Sequence, residues 1–187
     1  MKNPESKTLK KRTLKVLKGK LVTLKPLKKI YFKDYLKMFS PKVRELLHAY
    51  SGESELEYLE DRLEKQKMGK TFFYCIFLCG ERKTGDDPEH SSGKTLVGAI
   101  EIRNPQETDS QLYSWVNENY WGTGVYQEAL ALVSKEYFSK TSEICYRANV
   151  DIDNPRSYYA LKKHGFIDSG IKKGSHGKQY KLILRKK

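Results

Sequence analysis

Apolar residues change their period along this chain. In "KLVTLKPL", Val22 and Leu24 alternate with Leu21, Thr23 and Lys25, which predicts a first strand ending at Pro26. The spacing then turns helical: Phe32, Tyr35, Leu36 and Phe39 recur at i, i+3, i+4 and i+7, the mark of one buried helix face. Ser40-Pro41 restarts the count as N-cap and first helical residue, and Val43, Leu46, Leu47 and Tyr50 carry a second short helix as far as Gly52. A third opens with Ser54 and Glu57 in capping-box spacing and carries Leu56, Leu59 and Leu63 on one side. From Thr71 the helical period is lost. "TFFYCIFLC" and "TLVGAIEI" are apolar runs rich in β-branched and aromatic residues, as expected of strands covered on both faces. Between them lies "GERKTGDDPEHSSGK", residues 80–94, far longer than the roughly 2 to 5 residues of an ordinary hairpin loop.

The second half repeats the alternation of strand and helix. A strand is expected from Ser110 to about Asn117, then a turn containing Gly122 and Gly124. A helix to about Lys140 follows, with the stripe Val125, Ala129, Leu132 and Val133. After the strand "EICYRANV", a short helix from Pro155 to Lys163 is capped by Asn154 and stopped by Gly165. Two strands, "GFIDSGIKK" and "KQYKLILRK", close the sequence. The expected class is α/β, more narrowly α+β: one domain with a mixed sheet, mostly sequential hairpin-like strands, and flanking helices.

Charge changes this picture at the front of the chain. The net charge is +13, yet Met1 to Arg44 holds fifteen Lys and Arg against two acidic residues, leaving twenty-one of each sign in the remaining chain. The globular body is therefore neutral, and residues 1–19 read as a basic, flexible leader before a domain spanning 20–187. Such a leader is a candidate for electrostatic attachment to an anionic partner such as RNA or the ribosome. Lysines recur too often in it for a secretion signal, and no run of about 18 apolar residues is present to span a bilayer. Cys75, Cys79 and Cys145 are odd in number and lie in strand-like surroundings, so free thiols in a reducing cytoplasm are expected. His48, His90, His164 and His176 show no paired spacing, and no metal site is expected.

The candidate chemistry begins at Gly122 and Gly124. A turn running straight into a helix offers unpaired backbone N–H groups and a partial positive charge to an anion, and glycine lets that backbone come close. Other phosphate loops fail on spacing. A Walker loop requires Gly where Glu64 precedes Gly69-Lys70-Thr71 and where Pro88 precedes Gly93-Lys94-Thr95, and a dinucleotide fingerprint requires a third Gly at Gln127.

About thirty residues further on, "NVDIDNPRSYYALKKHGF" keeps Asn154, Ser157, Leu161, Lys163, Gly165 and Phe166 at a fixed spacing. With Trp115, Tyr120, Trp121, Gly122, Gly124, Glu128 and Ala129, these residues make the chain resemble the GCN5-related N-acetyltransferases (GNAT), in particular their ribosomal-protein N-terminal acetyltransferase branch. The resemblance runs from about Lys20 to Leu184 and implies a GNAT fold, a mixed and mostly antiparallel sheet splayed open where acetyl-CoA enters. It implies transfer of acetyl to a primary amine by direct attack in a ternary complex. The acceptor would be a protein N-terminal α-amine or a small molecule such as a polyamine or aminoglycoside. A catalytically weak module that only binds CoA or RNA is the alternative from another class.

By the same resemblance, Trp115, Val116 and Asn117 would pair with the pantetheine arm, and a backbone donor near Val116 would polarise the thioester carbonyl. Trp121, Gly122, Thr123, Gly124, Val125 and Tyr126 would surround the pyrophosphate, with Asn154 and Ser157 also at the cofactor. Ser157 is the first choice to protonate the leaving thiolate, with Tyr158 or Tyr159 second. Related enzymes often carry Glu where this chain has Gln111, which cannot accept a proton. Glu101 is the leading replacement, with Asp109, His164 and His176 as others.

Overall fold

The computed structural model describes residues 13–47, 55–79, 95–103, 110–174 and 177–185. Outside these lie most of the basic leader, the loop 80–94, Tyr50, Ser54, Asp109, His48, His90 and His176. Strands β1 (Leu17–Lys18) and β2 (Val22–Pro26) precede helices α1 (Phe32–Met38), α2 (Pro41–Leu47) and α3 (Glu55–Lys67). Then come β3 (Thr71–Leu78), β4 (Leu96–Arg103), β5 (Gln111–Val116), α4 (Val125–Lys140), β6 (Cys145–Asp151), α5 (Pro155–His164), β7 (Ile167–Gly174) and β8 (Gly177–Arg185). They form one eight-stranded sheet in the order β1-β2-β3-β4-β5-β6-β8-β7. Each neighbouring pair is antiparallel except β5 with β6, which α4 joins as a parallel crossover.

The apolar run of β3 shows why it is continuous. Phe72, Tyr74 and Ile76 pack toward α4, while Phe73, Cys75 and Phe77 pack toward α1 and α3, so neither face of this strand meets water. Tyr35, Phe39 and Trp115 form the aromatic centre of the second layer, with Trp115 Nε1 donating to the Tyr35 hydroxyl at 2.9 Å. In α3 only part of the expected stripe is core: Leu59 is fully buried, but Leu56 is 46% exposed. No described helix is long and apolar enough to cross a membrane.

The front of the chain is more ordered than its charge pattern suggests. Leu17 pairs with Leu24 and is buried, so residues 17–18 of the expected flexible leader belong to the sheet. The local turn is held from a distance: Glu128, in the first turn of α4, accepts hydrogen bonds from the backbone N–H groups of Lys20, Leu21 and Val22 at 2.8, 2.7 and 2.9 Å. A leader of alternating Leu and Lys buries its leucines once a strand offers them a surface, whatever the lysines do in solvent.

One close approach shapes the end of β5. A Cβ at Gly98 would lie 2.4 Å from the Trp115 carbonyl oxygen, and both are backbone-fixed across the β4–β5 pair. Gly98→Ala should therefore force the strands apart and cost about 1–3 kcal/mol in denaturant unfolding. An unchanged unfolding midpoint would mean the strands are not in this close contact.

Candidate active site

The β5–β6 pair is short. Only Gln111 with Arg147 and Leu112 with Ala148 are in register, whereas β6 pairs with β8 along all seven of its residues. Beyond Leu112 the two parallel strands separate, leaving an opening between Ser114–Val116 and Asn149–Asp151. Two cavities meet there. A smaller one, about 390 Å³, reaches the glycine turn, and a larger one, about 710 Å³, lies on the α1–α3 side; Ser114, Trp115, Asn154 and Ser157 line both.

Backbone alternation decides which groups of β5 face the opening. Asn117 N–H donates to the Val97 carbonyl, and Arg147 N–H donates to the Ser110 carbonyl. Odd-numbered residues thus turn their backbone polar groups to β4, and Ser114 and Val116 turn theirs to the opening. Of the three expected pantetheine partners, Val116 fits, while Trp115 pairs with Ala99 of β4 and Asn117 gives its N–H to Val97 and accepts from Tyr120 N–H at its carbonyl. Asn117 also donates its side-chain amide to the Met38 carbonyl. The Val116 carbonyl accepts from Trp121 Nε1 at 2.8 Å, which leaves its N–H as the donor aimed into the gap. Ser114, which the sequence reading missed, is the second such residue.

The glycine turn meets the geometric demand of an anion cradle. Gly122 and Gly124 have φ of +77° and +87°, a conformation L side chains rarely adopt. Gly124 is the N-cap of the 16-residue α4 and supplies no side-chain cap, so the N–H groups of the first turn keep their outward donors. Gly122, Gly124, Tyr126 and Gln127 line the smaller cavity. Thr123 instead turns its hydroxyl to the Tyr120 carbonyl at 2.7 Å, and the Val125 side chain is core.

Two cations of α5 complete this wall. Arg156 stacks on the Trp121 ring at 3.4 Å, and Arg156 and Lys163 both line the cavity. The available signal was their spacing: Arg156, Ala160 and Lys163 recur at i, i+4 and i+7 on one face. The cavity therefore suits an anionic, partly apolar ligand such as the pyrophosphate and arm of CoA.

Catalytic candidates separate by position. Asn154 caps α5 by accepting from Ser157 N–H at 3.2 Å, which sets Ser157 on the first turn and at the junction of both cavities. Tyr158 points elsewhere: its hydroxyl donates to Asp168 at 3.0 Å, its ring lies against Tyr180, and it lines neither cavity. That hydrogen bond raises its pKa, so Tyr158 is both misplaced and a poorer acid. Tyr159 lines the smaller cavity. Tyr126 and Ser114 share a 2.9 Å hydrogen bond, and burial pushes the Tyr126 phenol up to about 12 against the lowering effect of that bond.

Glu101 lines the larger cavity but its carboxylate is already engaged. Thr71 donates to it at 2.7 Å, Arg103 Nε at 2.9 Å and Tyr58 at 3.3 Å, and Arg62 lies 3.6 Å away. Arg103 also stacks on Tyr113 at 3.6 Å, so the group is a buried mesh in which Glu101 is the shared acceptor. His164 lies on the other side of α5, with Nε2 3.3 Å from Ser134 Oγ, and lines neither cavity.

This fold has known counterparts. The acetyltransferase (GNAT) domain family matches residues 22–167, and the chain belongs to it. It is an N-acetyltransferase with acetyl-CoA as donor. No curated protein matches the chain's sequence. Among solved structures, an acetyltransferase from Salmonella typhimurium that modifies the N-terminal serine of ribosomal protein L7/L12 is 11% identical, with 92% of this chain and 100% of that chain covered and a TM-score of 0.74. The RimJ protein of Mycobacterium smegmatis, in complex with a CoA disulfide, is 17% identical over 88% of this chain and 81% of its own, with a TM-score of 0.68. The microcin C7 self-immunity acetyltransferase MccE, in complex with acetyl-CoA and AMP, is 14% identical over 90% and 94%, with a TM-score of 0.70. At these identities the likeness is one of fold.

Proposed function

We propose that this enzyme acetylates the α-amine of a protein or peptide N-terminus by direct attack within a ternary complex. The observation that carries the reading is the shared floor of the two cavities: the donor and the acceptor reach the same opening from opposite faces, with Ser114 and Ser157 between them. Acetyl-CoA supplies an acetyl group activated as a thioester, open to an amine nucleophile with a thiolate as leaving group. The N–H groups at the start of α4, with Arg156 and Lys163, hold its phosphates. The Val116 N–H is the oxyanion donor and, with the backbone of Ser114, orients the arm.

Ser157 would pass a proton to the departing sulfur and regain one from the nitrogen, which sheds its own as the amide forms. Gln111 lines the acceptor cavity as a neutral residue and Glu101 is held by two arginines, so the amine arrives already neutral or loses its proton to solvent. The larger cavity, about 710 Å³, has the volume for a short peptide. Three free cysteines support a cytoplasmic setting, and the lysines of the leader support attachment of the enzyme to a ribosome or other RNA-rich partner.

The test is steady-state acetyl transfer to N-terminal peptides. Ser157→Ala should lower kcat by about 10- to 100-fold while leaving acetyl-CoA affinity within a few-fold, and Tyr158→Phe should leave both near the parent values. A Tyr158→Phe variant as impaired as Ser157→Ala would contradict these assignments.

A further inference from the structure

The larger cavity sorts its charges along the register of the sheet. Continuing the parallel register Gln111↔Arg147 by four residues brings Asp151 of β6 opposite Trp115 of β5, where the strands have already separated. From Asp151 the row runs on to its antiparallel partner Gln179 of β8, and from there to Lys172 of β7. The Gln179 amide donates to Asp151 Oδ1 at 2.7 Å, which orients the carboxylate. Among the described residues Asp151 and Glu101 are the carboxylates that line this cavity, Glu101 held by Arg62 and Arg103 and Asp151 by Gln179. Lys172 and Lys173 line the far side, on an exposed edge strand.

This pattern is bipolar. An anionic group stands at the opening, and two cations stand two strands away, about 10 Å at ordinary strand spacing. An extended peptide covers that distance in about three residues. We propose that Asp151 receives the amino group of the acceptor and that Lys172 and Lys173 receive a carboxylate carried by the same acceptor, so that the preferred substrate is a peptide N-terminus with acidic residues at its second or third position. The proposal rests on the amine-acetyltransferase reading above and narrows its acceptor. A polyamine or aminoglycoside brings several positive charges to a cavity whose outer wall is cationic, and repulsion there selects against it.

The experiment compares acetyl transfer to four acceptors: the peptides Ser-Glu-Glu-Ala, Ser-Ala-Ala-Ala and Ser-Lys-Lys-Ala, and spermidine. Parent, Asp151→Asn and the double variant Lys172→Glu/Lys173→Glu are assayed, with acetyl-CoA affinity of each measured by calorimetry to establish that fold and donor site are intact. The parent should favour the acidic over the basic peptide by about 10-fold or more in kcat/KM, and spermidine should be poor. Asp151→Asn should raise KM for every peptide with acetyl-CoA affinity unchanged, and the double variant should invert the order of acidic and basic peptides. Equal rates on the three peptides, a preference for spermidine, or an Asp151→Asn variant with parental KM would overturn the proposal alone. A parent that binds acetyl-CoA and acetylates none of the four would overturn the amine-acetyltransferase reading and this proposal with it.

Discussion

Gly124→Glu should weaken acetyl-CoA binding by at least about 100-fold, some 2.7 kcal/mol, while the protein stays folded. The substitution acts twice at one point. It places an L side chain at φ +87°, which strains the turn by about 1–2 kcal/mol, and it brings a carboxylate to the N–H groups that the cofactor's phosphates would occupy. The nearest atom to the new Cβ is the Leu21 side chain at 3.3 Å, which can yield, so the fold tolerates the change. Gly124→Ala separates the two effects, since it carries the strain without the charge and should lose far less affinity. Calorimetric titration reads both variants against the parent, with far-UV circular dichroism as the folding control. Parental affinity in Gly124→Glu would mean that the glycine turn does not hold the cofactor's phosphates.

Glu128→Ala should destabilise the protein by about 2–4 kcal/mol, because three charge-assisted hydrogen bonds end on this one side chain. Its loss frees the turn between β1 and β2 and leaves three backbone donors to find water. The same bonds give a pH signature. Burial alone raises the Glu128 pKa, but the N–H groups of Lys20, Val22 and Leu21 outweigh it, and the carboxyl titrates below the ordinary glutamate range. A folded-state pKa below the unfolded value means this stabilisation is complete above about pH 4.5 and is lost as pH falls through the depressed pKa. Urea unfolding between pH 6 and pH 3 should therefore show a steeper loss for the parent than for Glu128→Gln. Parallel profiles would mean the three hydrogen bonds are not formed in solution.

Legibility followed the kind of signal each element carries. The strands buried on both faces and the helix starting at Val125 were plain, because a continuous apolar run and a 3.6-residue stripe report burial directly. The role of Glu128 was not plain, since its partners lie more than a hundred residues away in sequence and are backbone groups, which have no letter in the sequence. β1 was hidden by charge and brevity: it has two residues, the buried Leu17 and the exposed Lys18, and Lys15 and Lys20 flank it.

At the site, motif spacing located the opening but not the direction of each side chain. Ser157, Asn154, Gly122 and Gly124 all meet there, whereas Tyr158, one residue past Ser157, lies about 100° around the helix and faces Asp168. The choice between Val116 and its neighbours Trp115 and Asn117 depends on which strand edge each amide faces, and the register with β4 fixes that. Glu101 read as a base because it is a lone acid in an apolar strand; its two arginine partners come from α3 and from its own strand, two residues on.

A backbone amide NMR titration of the full chain with acetyl-CoA reads directly where the donor binds. The largest shifts should fall at Val116, Gly122, Gly124, Tyr126 and Gln127, together with Ser157 across the opening. Shifts confined to other strands, or a well-folded protein whose spectrum does not move, would contradict the opening between β5 and β6 as the place where acetyl is delivered.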